Sequence, residues 1–316
     1  MNAPRGSNGL NLVENKNVNG TISSKPTHRF VCLACTSGAG HLVLGDCKDY
    51  YLGTPYTVDY WECESCGLVQ QSPLPEDTSI FYEAYPIHSE KGFIFTWFRK
   101  LLMTGAYYQA KSTDTRQRLL DFGCGDGWFL ENCKSKNFDL LGYEPEPSHA
   151  SRLGDRLGIP VESNVENLLA ANAGKIDILT MNFVMEHLID VNRVFAQAQQ
   201  LVRPGGVFYF SVPDFNSIER RIFGKKWHNI DAPRHISFPD APLIEKLAER
   251  HGFRVVKSSG LPFLSGFAAS IPVVLTGRFR YWLFLLSIPL SYLFNLVWRT
   301  SCRGYWLEAT NEGSLG

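Results

Sequence analysis

Residues 119–130 read LLDFGCGDGWFL, with glycine at 123, 125 and 127 and an acid on either side, Asp121 and Asp126. Glycines at this spacing let a backbone turn sharply and come close to a ligand. A dinucleotide fingerprint would run G-x-G-x-x-G and rest its pyrophosphate on the next helix N-terminus. Here the third glycine comes one residue early, Trp128 stands in its place, and two carboxylates would repel a pyrophosphate. A nucleoside carrying a sulfonium and an ammonium would be attracted instead. Glu144 closes the run LLGYE about 20 residues further on, where an acid is expected to hold the hydroxyls of a ribose. Its carboxylate can accept two hydrogen bonds from the vicinal diol.

A second chemistry is written in cysteine. CLAC (Cys32, Cys35) and CESC (Cys63, Cys66) are two C-x-x-C knuckles separated by a polar, aromatic stretch long enough for a small sheet. This is the pattern of a zinc ribbon, in which four thiolates close a tetrahedral, structural Zn2+ site. Cys47 is a spare that could replace one ligand. The first 27 residues are polar, rich in Asn and Gly, and lack the apolar core of a signal peptide, so a disordered tail and a cytoplasmic protein are expected. Thiols stay reduced there, which favours metal ligands or buried thiols over disulfides for the eight cysteines.

These groups need a frame. The chain has 316 residues, 44% of them hydrophobic and 20% charged, which suits a main domain with an appendage. Lys+Arg and Asp+Glu both number 31, so no net field draws it to nucleic acid. The segments EDTSIFYEAY and KGFIFTWFRKLLMTGAYYQAK carry apolar residues at helical spacing. From RQRLLDF onward, strand and helix patterns alternate through FDLLGYE, PVES, KIDILTMNF and GGVFYFSVP, which predicts a parallel sheet covered on both faces. The loop at 123–127 and Glu144 then stand at strand carboxyl ends, where such sheets bind ligands.

As a set, these residues resemble the class I S-adenosylmethionine-dependent methyltransferases over roughly residues 117–260. Asp121, Gly123, Gly125 and Gly127 match the family's first motif, and Glu144 in GYEP matches its acid after the second strand. DILTMNFVMEHL resembles the fourth strand and the Glu-His turn after it (Glu186, His187), and LVRPGGVFYFSVP the Pro-Gly-Gly turn into the fifth. The resemblance implies a Rossmann-like, seven-stranded α/β sheet, mostly parallel with an antiparallel last strand. It implies S-adenosyl-L-methionine as cofactor, held by Asp121, Gly123, Cys124, Gly125, Gly127, Glu144 and Asn182. No acid follows the third strand, so Ser163 or Asn164 would have to meet the adenine. The segment KKWHNIDAPRHISF is similar to one found, with a zinc ribbon, in methyltransferases of bacterial cell-surface polysaccharide gene clusters.

Methyl transfer to a hydroxyl gains from a base, and His187 and His235 are the candidates, each equally able to serve as a structural hydrogen-bonding group. Glu186 is read as a cap for the following helix. Arg234 would either fork onto a phosphate or carboxylate of the acceptor or hold down its own loop. Near the C-terminus, LPFLSGFAASIPVVLTG and YWLFLLSIPLSYLFNLVW are apolar, and strands are expected on either side of them in one sheet. The readings that stand are a hairpin dipping into or lying on the cytoplasmic leaflet, a pair of full crossings that would put Arg278 and Arg280 outside against the positive-inside tendency, or a buried helical pair completing the core or a dimer interface.

The expected organisation is a tail (1–27), a zinc ribbon (28–75), a helical cap (76–116), a methyltransferase core (117–260), an apolar hairpin (261–300), and a last strand and tail (301–316). The expected activity is methylation of a small or lipid-linked glycan acceptor, on oxygen. The alternatives are a catalytically silent, membrane-associated zinc-ribbon scaffold and an NAD(P)-dependent oxidoreductase.

Overall fold

The computed structural model describes residues 29–74, 81, 107–109, 111, 114–262, 264–298 and 301–310. The expected N-terminal tail and most of the expected helical cap over 76–116 lie outside the described residues.

The chain opens with three antiparallel strands, β1 (Gly40–Lys48), β2 (Thr57–Cys63) and β3 (Val69–Gln71). The alternating apolar runs then become β4 (Gln117–Phe122), α1 (Trp128–Cys133), β5 (Phe138–Tyr143), α2 (Pro147–Leu157), β6 (Val161–Glu162), α3 (Val165–Asn172), β7 (Ile176–Asn182), α4 (Val191–Leu201) and β8 (Val202–Pro213). After α5 (Ile218–Phe223) come the short strand β9 (Ser237–Phe238), α6 (Ala241–Arg250), β10 (Phe253–Leu261), α7 (Leu264–Thr276), α8 (Tyr281–Val297) and β11 (Cys302–Ala309). Local chemistry sets the boundaries. Glu146 accepts from the N–H groups of Ser148 and His149 to start α2, Pro147 follows it, and left-handed Gly158 ends the helix.

Seven strands form one sheet in the order β10-β11-β8-β7-β4-β5-β6, with β11 antiparallel to both neighbours. Its residues alternate between two apolar layers, Leu120 and Phe122 on one face and Leu119 on the other. Both faces are therefore covered, as parallel strands require.

The ribbon was expected as a unit of its own, but it is built into this domain. Phe30, Cys32, Ala34, Cys63 and Leu68 belong to the same buried cluster as Phe195, Phe208 and Leu247. The ribbon's sheet takes its fourth strand, β9, from the segment that follows Pro-Arg-His. Gln71 Nε2 donates to the carbonyls of Pro233 (2.6 Å) and His235 (2.8 Å), and the Tyr60 hydroxyl donates to the His235 carbonyl at 2.8 Å. Arg234, 1% exposed, forks onto Asp49 at 2.9 and 3.1 Å and also grips Asp231. The guanidinium therefore holds down its loop and is not offered to an acceptor.

Burial works against both carboxylates, but the hydrogen bonds from Arg234 outweigh it, holding Asp49 below its ordinary value and Asp231 down to about 2. These folded values lie below the unfolded one, near 3.9, so the stabilisation is complete above about pH 4 and is lost as the pH falls through them. Changing Arg234 to alanine strands two buried acids, a loss of about 3–5 kcal/mol. Thermal denaturation should show a midpoint lower by roughly 10 °C, and a drop of less than about 3 °C would mean that the pair carries little.

The apolar stretch forms two helices packed as a hairpin; α7 buries a mostly apolar face, from Phe267 to Val273, and in α8 the polarity is reversed. In α8, Ser287, Ser291 and Asn295 are buried, while Leu286 is 70%, Val297 69% and Trp282 61% exposed. The Ser291 hydroxyl donates to the carbonyl of Leu264 at the start of α7, and Phe267 stacks on Phe294 with centroids 4.3 Å apart. The turn is anchored as well: Phe279 N–H donates to the Tyr50 carbonyl at 2.9 Å, and its ring meets Tyr51. A buried pair therefore describes most of α7 but not α8, which leaves an apolar face exposed. Among the described residues, no helix is long and apolar enough to cross a membrane.

Candidate active site

Strand order reverses at β4, with β5 and β6 on one side and β7 and β8 on the other, so a crevice opens at the strand carboxyl ends. The glycine loop fills its floor. The N–H groups of Gly123 and Cys124 both donate to the Tyr143 carbonyl at 2.9 Å, stitching the loop to the end of β5. All three glycines adopt a left-handed backbone, for different reasons. A Cβ on Gly123 would strike Val184 at 2.7 Å, and one on Gly127 would strike Leu153 and Leu157 at 2.6 and 2.7 Å. A Cβ on Gly125 would meet nothing within 4 Å, which is open space for a ligand. The loop is fixed from α2 as well, by His149 Nε2, 2.8 Å from the Gly125 carbonyl, and by Arg156 on the Asp126 carbonyl. Neither residue was recognised from sequence; they lie on the helix after Glu144, and only the fold brings them back.

Asp121 and Glu144 flank the loop and are both buried. Asp121 lies opposite Thr180 in the β4–β7 register, and its Oδ1 accepts from the Thr180 hydroxyl at 2.7 Å and from Asn182 Nδ2 at 3.1 Å. Glu144 Oε2 accepts from Gly125 N–H at 3.0 Å. Burial, aided by the negative charges of Asp126 and Glu144, pushes the Asp121 carboxyl up to about 7, and burial likewise raises Glu144. A bound cation would favour the ionised acids. Cofactor affinity should therefore rise as the pH increases through about 7, with a proton released on binding below it. Calorimetric titration at pH 6.5 in buffers of different ionisation enthalpy reads this directly, and buffer-independent heats would contradict it.

Asn182 joins the same network: its Oδ1 accepts from Tyr108 N–H at 3.1 Å. Tyr107 meets Trp128 (4.8 Å between centroids) and Phe183 (5.7 Å), so residues 107 and 108 reach the crevice from the segment before β4. Cys124 is buried, with its sulfur 3.0 Å from where a Gly142 Cβ would stand, so the crevice receives its main chain and not its thiol. Asn164 caps α3, its side-chain oxygen accepting from Asn167 N–H at 2.8 Å.

Beyond β7, a 3-10 turn (Met185–His187) brings His187 against His235, with ring centroids 4.7 Å apart. His187 Nδ1 lies 3.1 Å from the Arg234 carbonyl, and His235 Nδ1 lies 2.8 Å from that of Asn229. Burial lowers both rings, and His187 adds to the effect on His235, which falls to about 3. Glu186 is fully buried and does not cap the next helix; Asp190 does, accepting from Arg193 N–H. Trp227 is buried with its indole N–H on Glu219, and His228 N–H donates to Ser270, so both residues tie the segment to α5 and α7.

The four ribbon cysteines converge, with one sulfur of each within 4.8 Å of the others. Cys32 and Cys66 are 3.5 Å apart, Cys35 and Cys63 3.6 Å, and none is in a disulfide. A tetrahedral zinc at about 2.3 Å from each sulfur would space them by about 3.8 Å, so the donor set and spacing fit that ion. Cys47 is buried elsewhere, beside Tyr60 and Val69, and is no substitute ligand.

A family model described as a methyltransferase domain matches residues 96–258, just over half of the chain. A ubiquinone biosynthesis O-methyltransferase of Escherichia fergusonii is 31% identical over 118 residues, 35% of this chain and 46% of that protein. The chain thus spans about half the length of the curated relatives it matches. Among solved structures, a chain from the complex of the Haloferax volcanii Trm112 methyltransferase activator with a methyltransferase is 13% identical. It covers 75% of this chain and all of its own length with a TM-score of 0.52, a likeness of fold alone. A Haemonchus contortus phosphoethanolamine N-methyltransferase 2 solved with S-adenosyl-L-methionine is also 13% identical, covering 77% of this chain and 63% of its own with a TM-score of 0.47.

Proposed function

Since the chain belongs to the methyltransferase domain family, we propose that it transfers the methyl group of S-adenosylmethionine to a small or lipid-linked acceptor, at an oxygen of a sugar or related metabolite. The cofactor would lie across the carboxyl ends of β4 and β5, with its ribose diol on Glu144 and its cationic end toward Asp121. One observation carries this reading: two buried acids flank a loop whose central glycine faces open space. The methyl group is already activated by the sulfonium, so the protein's main task is to hold the acceptor in line with it. His187 and His235 would receive the hydroxyl proton. A ring held as low as His235 is a weak base, which favours His187 for that step.

Titrating the full chain with S-adenosylmethionine, S-adenosylhomocysteine and NAD+ tests the assignment. The first two should bind and NAD+ should not; the reverse would support the oxidoreductase alternative. Methyl-labelled cofactor incubated with a cell extract, with and without the protein, would show whether label enters lipid or water-soluble products. The four cysteines, by their spacing, are assigned a structural Zn2+.

The reversed polarity of α8 supports a surface association with the inner leaflet of a membrane. Polar groups turned inward and leucine, valine and tryptophan turned outward suit an environment of hydrocarbon and headgroups. The anchored turn favours a hairpin lying flat over one that dips in tip first. Sedimentation with anionic phospholipid vesicles should carry the wild type down, while Leu286→Glu combined with Leu293→Glu should stay in the supernatant. Equal partitioning of the two would contradict the reading.

A further inference from the structure

Glu186 raises a problem that methyl transfer does not answer. Its side chain is fully buried, and neither carboxylate oxygen has a hydrogen-bond partner among the described residues. An acid so placed costs several kcal/mol unless something pairs with it. The groups around it are also electron-pair donors. His187 and His235 each direct Nδ1 at a backbone carbonyl, Arg234 and Asn229 respectively, and a carbonyl can only accept. Each Nδ1 must therefore carry the hydrogen, and each Nε2 is left as the lone-pair nitrogen of a neutral ring. His235 Nε2 lies 4.0 Å from Glu186 Oε1, and one ligand atom from each of Glu186, His187 and His235 lies within 4.8 Å of the other two. One candidate ligand atom from each of the three side chains thus lies close to the other two, while the guanidinium of Arg234 is committed to Asp49 and Asp231.

We infer that Glu186, His187 and His235 form a second metal site, for a divalent transition metal of the zinc type, distinct from the four-cysteine cluster. The chemistry of the donors fits: two imidazoles and one carboxylate leave a coordination position open, as in catalytic zinc sites. The outer shell fits as well, because a ligating histidine usually donates its other ring N–H to a carbonyl or carboxylate, which both rings here do. A tetrahedral ion at about 2.1 Å would space its ligands by about 3.4 Å, so the gap between Glu186 and His235 closes by roughly half an ångström on binding. Asp231, whose Oδ2 is 3.9 Å from His235 Nε2, adds a second negative charge beside the site while remaining paired with Arg234. With metal bound, the two histidines would be ligands, so the base role given them above would belong to the metal-free protein only. The open position would then polarise an acceptor oxygen, and it lies one short turn beyond the Asn182–Asp121 network.

Metal content tests this without cofactor or turnover, so its outcome is separate from that of the methyl-transfer reading. The purified full chain, stripped and reloaded with Zn2+ or Co2+, should hold two equivalents. With Co2+, one should give intense thiolate charge-transfer absorption and the other only weak visible bands. Glu186→Gln should lose the second equivalent alone, leaving the thiolate absorption intact. If that variant does not fold, His187→Asn, at a partly exposed ring, makes the same comparison. A wild type that saturates at one equivalent, or variants that keep two, would overturn the site.

Discussion

Replacing Glu144 with alanine is expected to weaken S-adenosylmethionine binding about 100-fold. The residue has two tasks that no neighbour duplicates. One oxygen accepts from Gly125 N–H and holds the loop in shape, while the carboxylate remains able to accept from a ribose diol. Hydrogen bonds to a charged group contribute about 1.5–3 kcal/mol each, and about 2.7 kcal/mol corresponds to 100-fold in affinity. Asp121→Asn separates charge from shape at the other end. The amide oxygen can still accept from Thr180 and Asn182, so the crevice should stand, but the affinity should fall and its dependence on pH near 7 should flatten. Calorimetry on both variants measures these effects. Unchanged affinity in both would move the cofactor elsewhere.

The second large effect should come from the far side of the molecule. Stripping metal from the four cysteines, or changing Cys63 to serine, should reduce turnover by at least about 100-fold while changing cofactor affinity only a few-fold. A structural zinc supplies on the order of 10 kcal/mol of folding free energy to the unit around it. Here that unit includes β3, which pairs with β9, and the side chains Gln71, Tyr60 and Asp49 that hold Pro233, Arg234 and His235. Without the ribbon, the wall carrying His235 loses its anchors. The crevice around Asp121 and Glu144 is held instead by β4, β5, β7 and α2, and should persist. The measurement is kcat beside the dissociation constant for S-adenosylhomocysteine, before and after chelation. Full turnover in the stripped protein, or loss of both quantities together, would contradict this division of labour.

What was legible in the sequence was local or repeated. The glycine loop and Glu144 sit in short runs whose residue types follow from backbone geometry and charge, and the alternation of strands and helices pointed to a parallel sheet, while its antiparallel last strand was implied only by the family resemblance. What was hidden depended on partners distant in the chain. Nothing near Arg234 marks Asp49, 185 residues away, as its counterion, so an arginine in a roofing segment read equally well as a ligand fork. Thr180 looks like any β-branched strand residue until the register sets it opposite Asp121. His149 and Arg156 carry no local mark of a role at the loop, and only the packing of α2 directs them onto it. The hairpin is a different case. Ser287, Ser291 and Asn295 recur every fourth residue, a stripe visible in the sequence, but the surrounding leucines and prolines drew the reading toward overall hydrophobicity.

The central claim is a cation-bearing nucleoside seated over the left-handed glycine turn. A crystal of the full chain grown with S-adenosylhomocysteine tests it most directly. The expected result is the ribose hydroxyls within hydrogen-bond reach of Glu144, the backbone of Gly125 against the ligand, and the amino-acid end near Asp121. A crevice closed by side chains, or a ligand seated away from Glu144 and Asp121, would contradict it.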